Sequence, residues 1–175
     1  MATAGQIVDN PVTGERFRWH LTAGDTGGRL VRAEVWVRPG GGVFVEHLHP
    51  QSEERFEVVD GRMILEAERR PRVLLAGERA RVASGVRHRW RNGGDGELHL
   101  YIEVHEPMGF EDMIEDVFAA ARAGRTDAGG RLDLLPGAAL VRTHAHNTRP
   151  ASPPAAIQRV VIPPIALLAR ALGRA

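Results

Sequence analysis

Two histidines one residue apart, followed at a fixed distance by a glutamate and much later by a third histidine, constrain this chain more than any other feature. Gly41, His47, His49, Glu54 and Gly61 read G-x5-H-x-H-x4-E-x6-G, and Gly77, Gly85, His88 and Asn92 read G-x7-G-x2-H-x3-N. In a strand, successive side chains alternate faces, so His47 and His49 point to the same side. Two imidazoles held that way can reach one cation, at roughly 2.0–2.1 Å for each Zn–N bond. Pro50 stops the strand, Gln51-Ser52 supply a polar turn, and the chain returns through Glu54-Arg55-Phe56-Glu57-Val58-Val59. Glu54 shares parity with Phe56 and Val58, whereas Glu53 shares it with Arg55 and Glu57. The apolar face turns inward, so Glu54 is the expected ligand and Glu53 faces solvent. His88 shares parity with Trp90 and Asn92 between outward Arg87, Arg89 and Arg91, which puts a third imidazole on an apolar wall.

The intervening pattern is β throughout. Asp60-Gly61 reads as a tight hairpin turn, and Met63 and Leu65 alternate with Arg62, Ile64 and Glu66. Asn92-Gly93-Gly94-Asp95-Gly96 reads as a turn. Upstream, Arg16 to Leu21 and Leu30 to Val37 read as the first strands, separated by a glycine-rich loop. In the last long strand Leu98, Leu100, Ile102 and Val104 fill the core, while His99 and Tyr101 on its other face are second-rank pocket candidates. His20 is read as structural.

The paired motifs resemble those of the cupin superfamily over about Gly40 to Val104. They depart from it only where Ala83 replaces a proline that stiffens the turn before His88. The resemblance implies a mainly β fold, a double-stranded β-helix or jelly roll, with a metal held in the barrel by His47, His49, Glu54 and His88. It also makes a homodimer the ordinary expectation. The chain divides into a barrel over residues 1–107 and a helical C-terminal extension over 108–175, packed on the barrel or on a dimer partner.

The extension changes period. Phe110, Met113, Ile114, Val117, Phe118 and Ala121 recur at helical spacing, and the expectation is a stripe packing on the barrel. Gly129-Gly130 and Pro136-Gly137 break the chain, and a short helix is expected near 138–144. The tail reads as two short helices joined at Pro163-Pro164, because proline is accepted at a helix start and not inside. Arg159, Arg170 and the proline pair argue against a membrane span. His144-x-His146 has no following glutamate and is read as structural.

Composition removes several chemistries. Every one of the 23 basic residues is arginine, which excludes lysine Schiff bases. Cysteine is absent, which excludes thiol nucleophiles, disulfides and iron–sulfur clusters. No serine nucleophile elbow or phosphate-binding glycine loop occurs. A net charge of +1 without a basic block gives no footprint for nucleic acid. The start shows no signal peptide, so a cytoplasmic location is expected.

The N/O ligand set suits Fe or Mn first, with Zn, Ni or Cu as alternatives. The leading expectation is a dioxygenase-like enzyme acting on a small organic molecule, with Glu54 as ligand and proton acceptor. Val45, Phe56, Val58, Met63, Leu65, Trp90 and Tyr101 form its expected pocket wall. Two alternatives stand beside it: a non-redox isomerase, lyase or cyclase, and a barrel that binds a metal or small molecule without turnover.

Overall fold

In the computed structural model, which describes residues 2–173, the alternating segments form two antiparallel sheets facing each other. The chain enters through β1 (Ile7–Asp9) and β2 (Glu15–Leu21), and a single helical turn α1 (Ala23–Thr26) leads to β3 (Leu30–Val37). The motif-bearing strands are β4 (Gly42–Leu48), β5 (Glu53–Asp60), β6 (Arg62–Ala67), β7 (Arg70–Leu75), β8 (Arg79–Val82) and β9 (His88–Asn92), and β10 (Leu98–His105) closes the run. Then come α2 (Phe110–Arg122), α3 (Leu134–His144), a two-residue strand β11 (Arg149–Pro150) and α4 (Ala155–Ala171). One sheet has the order β1-β2-β3-β10-β5-β8, the other β11-β4-β9-β6-β7. This is the jelly roll with a helical C-terminal extension.

The core lies between the sheets, where the period-2 pattern placed it. Leu98, Leu100, Ile102 and Val104 of β10 are buried, as are Phe56 and Val58 of β5, Met63 and Leu65 of β6 and Trp90 of β9. Burying a side chain of this size contributes about 1.5–3 kcal/mol, so the alternation settles which face is inside. The amphipathic stripe of α2 packs where expected. Phe118 meets Phe17 edge-on with ring centroids 5.5 Å apart, and Phe110 meets Trp19 at 6.4 Å.

Three local expectations differ from the structure. Asp60-Gly61 is not a hairpin: β5 pairs with β10 and β8, and β6 pairs with β7 and β9, so the turn carries the chain from one sheet to the other. Gly61 sits at φ 87°, and a Cβ there would lie 2.9 Å from the Glu97 carbonyl oxygen. Gly61→Ala is therefore expected to cost about 2 kcal/mol, read as a lower urea midpoint at unchanged slope.

Helix α3 begins at Leu134, earlier than expected, because Pro136 falls in its first turn, where a missing N–H costs nothing. The tail is one helix, with Pro163 and Pro164 inside α4. The carbonyls of Arg159 and Val160, which those prolines leave without donors, belong to exposed residues that water can solvate. Packing of α4 on α3, with Gln158, Ala166 and Ala169 buried, holds the helix together across the gap. No helix among the described residues is long and apolar enough to cross a membrane.

Candidate metal centre

Strand pairing brings the four motif residues together. His47 of β4 lies opposite His88 of β9, and the His47 ring centroid lies 4.3 Å from that of His88 and 5.1 Å from that of His49. Glu54, the second residue of β5, lies between Val104 of β10 and Val82 of β8, with its carboxylate facing inward. One ligand atom from each of His47, His49, Glu54 and His88 lies within 4.8 Å of the others. His49, Glu54 and His88 are buried, and half-buried His47 is nearest the surface.

The hydrogen bonds fix which nitrogen of each ring faces the centre. Nδ1 of His47 lies 2.9 Å from the Val45 carbonyl oxygen, and Nδ1 of His88 lies 3.0 Å from that of Val86. Nδ1 of His49 lies 3.1 Å from the Asn147 carbonyl oxygen. A carbonyl can only accept, so each Nδ1 carries the proton and donates it, leaving each Nε2 for the interior. Nε2 of His49 is buried with no hydrogen-bond partner, which costs about 1–3 kcal/mol in a folded protein unless something fills the gap. Nε2 of His88 stands 2.9 Å from Glu54 Oε2, and that of His49 stands 3.6 Å from the same oxygen. Lone pairs this close need a shared proton or a shared cation between them. Three inward imidazole nitrogens and one carboxylate therefore fit a divalent transition metal.

The electrostatics agree. Burial alone would raise the Glu54 carboxyl, but in the absence of a cation a second proton on His88, held at Nε2 against Glu54, and the neighbouring charges of His88 and His49 outweigh it and hold Glu54 well below the usual carboxylate range. Burial, with His88 and His49 beside it, pushes His47 down to about 3, so this ring stays neutral and available as a ligand. Glu53, its neighbour in sequence, points the other way. The hydrogen bond from Arg81 above all, with a second from Arg55 at 2.7 Å, holds it at about 2. Strand parity separates the two glutamates as expected.

Two expected wall residues lie elsewhere. Tyr101 faces outward with His99, because every second residue of β10 does, and Arg32 stacks over its ring at 4.4 Å. It borders an outer groove of about 640 Å³ with Arg32, Arg55, Arg79 and Arg81, on the opposite face of the sheet from Glu54. Val45 is exposed because the β4–β9 register shifts between Val43 and His47, which breaks the alternation counted from His47. The other five, Phe56, Val58, Met63, Leu65 and Trp90, are at most 4% exposed and form a packed interior beside the centre. His20 and His99 both bond Glu34 on the outer face, at 2.9 and 2.8 Å, and His144 bonds Asp116 at 2.8 Å.

Sequence reasoning missed three neighbours of His49. The Phe110 ring, at the start of α2, lies 6.1 Å from its ring, and both Asn147 O and Thr148 Oγ1 lie 3.1 Å from its Nδ1. Phe110 was legible as part of a stripe, but no local pattern marks Asn147 or Thr148.

Comparisons with known proteins agree with this architecture. Residues 33–105 match the family model described as Cupin domain. Protein SchB of Streptomyces halstedii is 40% identical over 83 residues, covering 47% of this chain and 58% of that protein. Polyketide synthase CurC of Streptomyces cyaneus is 36% identical over 84 residues, covering 48% of this chain and 53% of that one. The chain thus matches little more than half the length of these relatives. Among solved structures, a predicted oxalate decarboxylase from Thermotoga maritima aligns with a TM-score of 0.52 at 17% identity, over 58% of this chain and 91% of that one. The polyketide cyclase RemF from Streptomyces resistomycificus aligns at 0.50 and 19%, over 60% and 79%. At such identities the two structures speak for the fold alone.

Proposed function

We propose that the barrel, whose residues 33–105 match the Cupin domain model, is the site of a metal-dependent enzyme acting on a small, enolisable organic molecule of the polyketide class. The observation that carries this reading is the set of three Nε2 atoms and one carboxylate converging with every Nδ1 already engaged. When bound, a divalent cation supplies a Lewis acid that polarises a substrate carbonyl. The residues of the chain do the rest. His47, the ligand nearest the surface, stands where a substrate oxygen would arrive. Glu54, on partial dissociation from the cation, would be the proton acceptor for a carbon flanked by carbonyls. Phe56 and Trp90, in edge contact at 6.0 Å, exclude water from the inner side.

The name of one relative, Polyketide synthase CurC, supports a substrate of the polyketide class, for which cyclisation is the first reading. Polyketide synthase CurC is 36% identical to this chain over 84 residues, and a polyketide backbone carries the repeated carbonyls such a site would polarise. Oxygenation is the second reading, because His47, His49, Glu54 and His88 would also hold a redox-active cation, which would supply chemistry with O2.

One assay separates the two. Metal-loaded protein is incubated with a linear poly-β-ketone and, in parallel, with flavonols and catechols, while O2 consumption and product mass are followed. Cyclisation with dehydration gives a product lighter by water without O2 uptake. O2 uptake with oxygen in the product assigns the second reading. Ligand binding without turnover on either panel overturns both and leaves a binding protein.

A further inference from the structure

His47 and His88 are oriented by carbonyls two residues before them in their own chain segments, whereas His49 is oriented from 98 residues away. Its partners lie on the stretch after α3, beyond the residues that match the family model. The Asn147 carbonyl and the Thr148 hydroxyl both lie 3.1 Å from His49 Nδ1. The Thr148 hydroxyl donates its single proton to Asn147 Oδ1, so towards His49 its oxygen can only accept. Asn147 is fully buried, and its amide donates to the Pro107 carbonyl, which anchors it to the chain just before α2. Immediately after, β11 joins the edge of β4, with Arg149 opposite Leu48 and Pro150 opposite His47, and the Ala151 amide donates to the Glu46 carbonyl at 2.8 Å.

We infer that Asn147 and Thr148 are positioning residues of the metal centre, which hold His49 with its protonated Nδ1 turned to the tail and its Nε2 turned to the cation, so that metal capture and docking of residues 147–151 are a single coupled event. The inference rests on the metal-centre reading above. It makes the C-terminal extension part of the site and not only a cover for the barrel. Hydrogen-bond partners of metal-bound histidines fix ring orientation and raise basicity, and losing one typically costs about 10–100-fold in affinity. Coupling also runs in reverse, since a ligand that binds only the docked state stabilises docking by the same factor.

The test uses the full chain with Zn(II) as probe and reads affinity by chelator competition. Thr148→Val keeps the side-chain shape and removes the acceptor, so Zn(II) should bind about 10-fold more weakly, while Thr148→Ser should restore binding. In the metal-free wild-type protein, ring nitrogen shifts should show the proton of His49 on Nδ1, and Thr148→Val should weaken that preference. A second measurement needs no variant. Zn(II) at a hundred times its Kd should slow hydrogen exchange at the Ala151 amide by up to about 100-fold. Wild-type affinity in Thr148→Val, or Ala151 exchange indifferent to Zn(II), overturns the inference while the metal centre stands. A wild-type chain that takes up no Zn(II) overturns both.

Discussion

Glu54→Ala is expected to lower affinity for a divalent transition metal by more than about 100-fold, beyond the range typical for loss of an outer partner, while Glu53→Ala leaves it unchanged. The two glutamates are adjacent in sequence and equal in charge, and they differ only in the face of β5 they occupy. Glu54 is 3% exposed and stands 2.9 Å from His88 Nε2, whereas Glu53 is engaged on the outer face by Arg55 and Arg81. Removing Glu54 deletes the single anionic ligand and leaves imidazoles that repel one another once protonated. Breaking a buried ion pair by deleting one partner costs about 3–5 kcal/mol, so Glu54→Ala will also be less stable without metal. Glu54→Gln, which keeps the shape and one oxygen but no charge, separates loss of ligation from loss of fold. The measurements are metal content after dialysis against chelator and thermal midpoint with and without added metal. Wild type gains about 2.7 kcal/mol at a hundred times its Kd, and neither Glu54 variant should gain it. Equal metal content in Glu54→Ala and Glu53→Ala would reverse the register of β5 and remove the carboxylate from the centre.

The fold and the convergence of the four residues were legible because both depend on a period of two. Alternation sorts Glu54 from Glu53, sends Met63 and Leu65 inward, and buries the aliphatic side of β10. The same rule misplaced Val45, since parity holds only until a register shift, and the shift in β4 falls between Val43 and His47. Tyr101 was misassigned for the opposite reason. The rule already put it outside with His99, and its aromatic character is satisfied there by Arg32 and His20. The Asp60-Gly61 turn shows a different limit. Its glycine takes a positive φ, but the pair carries no information about whether the next strand returns to the same sheet.

Pro163-Pro164 looked like a break because local propensity counts two missing donors. It cannot count the contacts of α4 with α3, which outweigh them. The partners of His49 were out of reach altogether, because Asn147 and Thr148 act through a tertiary contact 98 residues long. A chain read by short-range pattern reveals ligands and not what aims them.

At the other end of the barrel, Glu15→Gln is expected to stabilise the protein at pH 8 and to change little at pH 4. Glu15 shares the inward face of β2 with Phe17 and Trp19 and is 4% exposed. It pairs across the sheet with Val37, and its carboxylate accepts from the Thr13 hydroxyl. Burial pushes its carboxyl up from 4.5 to about 7, with the Thr13 bond and the Arg38 charge only partly offsetting it. Because the folded pKa lies above the unfolded one, the folded state holds the extra proton between about pH 4.5 and 7. Stability therefore falls as pH rises through that window and does not return above it. A shift of this size corresponds to at most about 3–4 kcal/mol at about 1.4 kcal/mol per pKa unit. Glutamine keeps the acceptor for Thr13 without a charge to bury, so the variant should hold nearly constant stability where wild type declines. Urea denaturation at pH 4, 6 and 8 checks this. A variant whose midpoint tracks wild type across the series would mean that the wild-type carboxylate is solvated or paired when ionised, and that burial at this end of the barrel carries no electrostatic cost.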